Sequence, residues 1–163
     1  MAERQSFSPL VWEDSEILIL GTIPSSNSIE KGEYYYHYAN YIWDYLAELF
    51  HENRPRTWSE KTAFLKKHRI ALWDVYAFSD VAGSLDKGLK DFNNIAGFLK
   101  EHPAITKVLL NGKKASDALG KYLKKVSELP NGIVICSLPS TSGANTRLPR
   151  ATIFGAWKDA FLK

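Results

Sequence analysis

Apolar residues fall into two alternating kinds of run along the chain. Short, nearly unbroken apolar runs lie at 16–20, 70–75, 106–110 and 132–136, each closed by Gly, Asp, Asn or a Ser/Pro cluster. Three of them are almost wholly apolar, as strands covered on both faces of a parallel sheet are. Between and after them apolar positions recur with helical spacing. Ile42, Leu46, Leu49 and Phe50 stand at i, i+4, i+7 and i+8. Ala115, Leu119, Tyr122, Leu123 and Val126 form a second stripe, and Ile153, Phe154, Trp157 and Phe161 a third. Shorter helices are expected over 58–67 and 91–101. Strands alternating with helices predict an α/β fold, a three-layer α/β/α sandwich around a central, mostly parallel four-stranded sheet. Ligands of such sheets sit beyond the carboxyl ends of the strands. That rule points to four loops, at 21–28, 74–84, 111–114 and 137–150.

Length changes the picture little: 163 residues predict a single domain, 1–163, with enough chain to bury a core. Charge changes it more. The net charge is only +3, but the halves differ. Residues 1–50 hold Arg4 and Lys31 against eight acids, and residues 51–163 hold 19 Lys/Arg against 10 acids. Within 100–125 there are seven lysines against Glu101 and Asp117. Such a stretch suits a phosphate backbone and equally suits a solvated helix face. The single cysteine, Cys136, rules out a disulfide framework or a cysteine-built metal site. No leader-like apolar stretch opens the chain and no run is long enough to span a bilayer. A soluble cytoplasmic monomer is expected, without a membrane partner.

Three segments carry candidate chemistry. Gly21-Thr22-Ile23-Pro24-Ser25-Ser26 follows the first strand. It offers a tight turn and free N–H groups, but is neither a dinucleotide fingerprint nor a phosphate-binding P-loop. The segment from Tyr34 to Tyr45 holds seven of the chain's 21 aromatics, and Tyr34, Tyr35 and Tyr36 together suggest a stacking surface. In it His37 is a candidate acid or base or a hydrogen-bonded turn residue, and Asn40 a candidate polar catalyst or an ordinary helix N-cap. The third segment, Leu138 to Arg147, supplies hydroxyls at Ser140, Thr141 and Ser142, a flexible Gly143, and the polar Asn145 and Arg147, but no carboxylate.

Taken together the segments resemble the uracil-DNA glycosylase superfamily, most closely its family 6, the hypoxanthine-DNA glycosylases. The matching elements, in order, are Gly21–Ser25, Tyr34–Trp43, Ala71–Val75, Asn111–Ala115 and Leu138–Ser142, and the likeness runs from about residue 8 to the C-terminus. The resemblance implies a metal-free, cofactor-free enzyme of base-excision repair. It would cut a flipped-out deaminated base, hypoxanthine first, from double-stranded DNA and leave an abasic site. It implies Asn40 as the residue placing the attacking water. Gly21, Thr22, Ile23, Pro24, Ser25, Tyr35, His37 and Asn111 would line the base site, Tyr35 stacking on the base. Lys113, Ser140, Thr141, Ser142, Gly143, Asn145 and Arg147 would meet the DNA. An Asn cannot take a proton from water at neutral pH, so it would orient the water rather than act as a base.

Some positions depart from the family pattern. Tyr36 and Tyr38 replace the Gly/Ala and Pro often flanking His37, which would narrow or re-aim the pocket; Ile42 stands where Phe is usual, and Gly143 where Pro is common. These leave open a uracil- or mismatch-directed enzyme of the same superfamily. A non-catalytic DNA or abasic-site binder and an unrelated small-molecule α/β enzyme are further alternatives.

Overall fold

Each of the four apolar runs forms a strand of one sheet in the computed structural model, which describes residues 4–5, 7–36, 39–79 and 92–163. The main strands are β2 (Ile17–Gly21), β3 (Ile70–Asp74), β5 (Lys107–Asn111) and β6 (Val134–Leu138). All pair in parallel, in the spatial order β3-β2-β5-β6. A small antiparallel pair, β1 (Arg4–Gln5) with β4 (Phe78–Ser79), lies outside this sheet. Leu10 exchanges two 2.9 Å backbone hydrogen bonds with Leu72, occupying part of the free edge of β3.

The period-two alternation of the strands divides the core. Leu18 and Leu20 of β2 face one side with Ala71, Val108 and Leu110. There they meet Ile95, Phe98 and Leu99 of helix α4 (Ile95–Glu101) and Ala115, Leu119 and Tyr122 of α5 (Lys113–Lys125). Ile19, Ile70, Leu72 and Leu109 face the other. Their partners are Trp43 and Leu46 of α2 (Ile42–Leu49), Phe64 and Leu65 of α3 (Trp58–Lys67), and Ile153 and Trp157 of α6 (Arg150–Leu162). Two apolar faces, each covered by helices, make the expected α/β/α sandwich.

Local chemistry sets several boundaries. The Thr57 hydroxyl and Glu60 carboxylate form a reciprocal capping box that starts α3. Helix α4 begins at Ile95, later than the residue 91 expected, because Asn94 caps it by accepting from Gly97 N at 3.0 Å. The loop after β2 holds an unexpected turn of helix, α1 (Ser26–Lys31), capped by Ser25 and ended by Gly32 in the left-handed region. The apolar Val134 and Ile135 stay 55% and 41% exposed, since β6 is the outer strand. No helix among the described residues is long and apolar enough to cross a membrane.

Candidate active site

The strand register brings the chemistry to one edge. Gly21 stands opposite Asp74, and Asn111 opposite Leu138, so the loops beyond them open side by side. Between them lies a cavity of about 370 Å³ whose walls include Gly21, Thr22, Ile23, Pro24, Ser25, Tyr35, Asn40, Asp74 and Asn111. It continues into an open groove of about 930 Å³ bordered by Lys113, Lys114, Ser140, Asn145 and Arg147. Thus the first and third segments, the Asn40 segment and the start of α5 converge. His37 and Tyr38 lie outside the described residues.

Asn40 sits one residue before the N-cap position, which Tyr41 occupies without a side-chain bond of its own. Its Oδ1 accepts from Ile42 N at 3.0 Å, so the side chain still helps to close the helix start. The same oxygen accepts from the Thr141 hydroxyl at 2.7 Å. A carbonyl oxygen has two lone pairs, and both are used. The backbone N–H can only meet oxygen, so the amide orientation is fixed and Nδ2 is left without a partner among the described residues.

Thr141 is itself fixed. Its Oγ1 accepts from Asn111 Nδ2 and its N–H donates to Asn111 Oδ1, both at 3.0 Å. Its carbonyl accepts from Tyr41 N at 2.9 Å. Thr141 is only 1% exposed, which turns it away from the DNA-facing role expected of it and toward Asn40. The rest of its loop is stitched by short-range bonds. Ser142 N donates to Ser140 Oγ, Ala144 N to Ser142 Oγ, and Asn145 Nδ2 to the Ser140 carbonyl. Arg147 emerges exposed at the groove, and Lys113 pairs with Asp117 at 3.0 Å on the exposed first turn of α5.

The aromatic segment is less of a stacking surface than its composition suggests. Tyr34, Trp43 and Tyr45 belong to the core. Tyr36 is 38% exposed, has the Lys31 and Lys61 ammonium groups 5.7 and 5.9 Å from its ring centre, and is not part of the cavity wall. Of the three adjacent tyrosines, Tyr35 presents itself to the cavity together with part of Tyr34. Its backbone is held at φ 53°, an unusual value for a residue with a side chain. The buried Trp43 indole donates to the Tyr35 carbonyl at 3.1 Å, and Tyr36 N to Ser28 Oγ at 3.1 Å, which together hold this turn. The carbonyls of Gly21 and Thr22 are engaged by Val75 N and Tyr76 N. Ser25 spends its side chain on capping α1.

Along its full length the chain resembles enzymes of one kind. A Methanosarcina barkeri protein, "Hypoxanthine DNA glycosylase", is 35% identical over 162 residues, 98% of each chain. Its namesake in Methanosarcina acetivorans is 33% identical over 150 residues, 90% of this chain and 91% of its own. The chain belongs to the hypoxanthine DNA glycosylase family. A solution NMR structure from Methanosarcina acetivorans, described as a uracil DNA glycosylase, superposes with a TM-score of 0.81 at 31% identity, covering 98% and 97% of the two chains. No protein-family model matches the sequence.

Within this hypoxanthine DNA glycosylase fold, Asp74 is a cavity residue that sequence reasoning passed over. It closes β3, is 3% exposed, and its Oδ2 is enclosed without a hydrogen-bond partner. Burial pushes its carboxyl up to about 7. The Tyr35 hydroxyl is likewise enclosed and unpartnered. Burial raises the Tyr35 phenol well above its usual value, Asp74 adds to the rise, and Asn111 opposes it. A polar residue closing an otherwise apolar strand, at the end where ligands bind, was the available signal.

Proposed function

We propose that this chain is a monofunctional DNA glycosylase that removes hypoxanthine, flipped out of double-stranded DNA, by hydrolysis of its N-glycosidic bond. The observation that carries this is the meeting of five family-like sequence elements at one cavity in a chain similar end to end to hypoxanthine DNA glycosylases. A base in the duplex stack is out of reach, so the nucleotide must first turn outward into the cavity. Tyr35 offers its ring there as a stacking face. Asn40 has no free oxygen lone pair, so it addresses the attacking water through its Nδ2–H, donating to the water oxygen and leaving another lone pair for C1′. It orients the water and does not take its proton. The loop carrying Ser140, Ser142, Gly143 and Asn145, with Arg147 and Lys113, borders the groove where flanking phosphates would lie.

The test is base release from duplexes bearing single inosine, uracil, xanthine or G·T sites, read as strand scission after alkali. Inosine is expected to react at least about tenfold faster than uracil, the discrimination that one mispaired buried polar group supplies. A ratio near one or in favour of uracil moves the enzyme to the uracil-directed reading, to which the name of the superposed Methanosarcina acetivorans structure points. A gel shift without scission identifies a binding protein instead.

A further inference from the structure

Among the described residues, Asp74 Oδ2 and the Tyr35 hydroxyl are enclosed in the cavity wall without hydrogen-bond partners, and unsatisfied buried groups are rare enough to need an explanation. Asp74 is packed directly over Gly21: a methyl group there would stand 2.7 Å from Asp74 Oδ1 and 3.2 Å from the Tyr35 hydroxyl. The absent side chain is what lets a carboxyl and a phenol converge on the cavity. Among the described residues, the titratable groups facing Asp74 are Tyr34 and Tyr35, from the segment before α2. Strand β2 presents Gly21, and the Asn93 amide donates to the Asp74 backbone carbonyl at 2.8 Å. No lysine, arginine or histidine pairs with the carboxyl among the described residues.

We propose that Asp74, held as a neutral carboxylic acid, donates a hydrogen bond to a carbonyl oxygen of the base in the cavity and stabilises the charge that base acquires on departure. The inference rests on the glycosylase reading above. In the reaction the C1′–N bond breaks with its electron pair remaining on the base. The water oxygen bonds to C1′, and the proton the water loses ends on the released base. Negative charge spreads from the base nitrogen to its carbonyl oxygen during bond breaking. A donor aimed at that oxygen is stronger in the transition state than in the ground state, which is the condition for raising the rate. An ionised Asp74 would oppose the same charge. Burial, with no cation in contact among the described residues, favours the neutral form, and a base covering the site removes more solvent and favours it further.

The experiment measures single-turnover rates on inosine duplexes, with enzyme below saturation, from about pH 6 to about pH 9. It compares wild type with Asp74→Asn and Asp74→Ala, and follows the Asp74 carboxyl by carbon-13 NMR in the free protein. The carboxyl resonance is expected to titrate at about 7, and the wild-type rate to fall as pH rises through it. Asp74→Asn, a donor that cannot ionise, should be slower than wild type at low pH, show a flat profile, and overtake wild type at the alkaline end. Asp74→Ala should lose about a hundredfold or more at low pH. A wild-type rate that is flat or rises with pH overturns the proposal, as does Asp74→Asn declining in parallel or Asp74→Ala matching wild type. A carboxyl that titrates near the ordinary aspartate value overturns it whatever the activity. Wild type that releases no base from any duplex overturns the glycosylase reading and this one with it, and is distinct from release with an unaltered profile.

Discussion

Asn40 is bound on one side by the backbone and on the other by a single hydroxyl, so the water-placing role proposed for it depends on Thr141. Removing the whole side chain in Asn40→Ala gives up the Ile42 N–H bond, at about 1 kcal/mol of stability. It also removes the Nδ2 donor, for which single-turnover cleavage should fall on the order of a hundredfold. Thr141→Val keeps the volume but leaves Asn111 Nδ2 and one Asn40 lone pair unpaired, a loss of about 1–3 kcal/mol. The amide can then rotate, so the cleavage rate is expected to drop at least about tenfold while duplex affinity holds, because Thr141 is enclosed. Thr141→Ser restores the hydroxyl and should recover most of the rate. A folded Thr141→Val protein at full rate, with Asn40→Ala still slow, would detach Thr141 from catalysis.

At the scale of elements the decisive contact is between two loops. Asn40 and Ser142 form an antiparallel bridge, and Gly143 lies so close that an added Cβ would be 2.4 Å from the Ala39 carbonyl. Gly143→Ala must therefore separate the loops that hold Asn40 and Thr141. Unfolding by urea should show a loss of about 1–3 kcal/mol, as overpacking typically gives. Base release should fall with it; an unchanged rate at reduced stability would show that the site tolerates the displacement. This contact was not legible in the sequence, because residues about 100 positions apart meet only through the sheet register. The strands and long helices were legible, since apolar periodicity and burial report the same geometry. Helix α1 was hidden by its brevity: Ser26–Lys31 is a single capped stretch with too few residues to show a period. The exposure of β6 was hidden for another reason. Apolar Val134 and Ile135 look like their buried counterparts, and only strand order makes them an edge. Asp74 was passed over because it reads locally as the polar stop of a strand.

Over the whole molecule, charge and cavity are arranged on a common axis. The Lys-rich stretch 100–125 is not one surface, because α5 runs away from the strand edge. Lys113 and Lys114 open the helix and border the groove with Arg147. Lys124 and Lys125 lie in its last turn, about 17 Å along the axis from the first residue at the usual helical rise. The Lys113–Asp117 pair is exposed at both ends, so it holds Lys113 only weakly and leaves it able to turn to a phosphate. Duplex affinity measured across a salt series should separate the two ends. Each cation that contacts a phosphate contributes about 0.9 to the slope of log affinity against log salt. Arg147→Ala and Lys113→Ala should each lower the slope by about that amount, and Lys124→Ala should leave it unchanged. The base-release rate at saturating enzyme should also fall for Arg147→Ala, because its loop adjoins the cavity proposed to receive the nucleotide. Equal slope losses for Lys124→Ala and Arg147→Ala would place the duplex along the length of α5. That would remove the reason for assigning the groove between α5 and the loop bearing Arg147 to DNA.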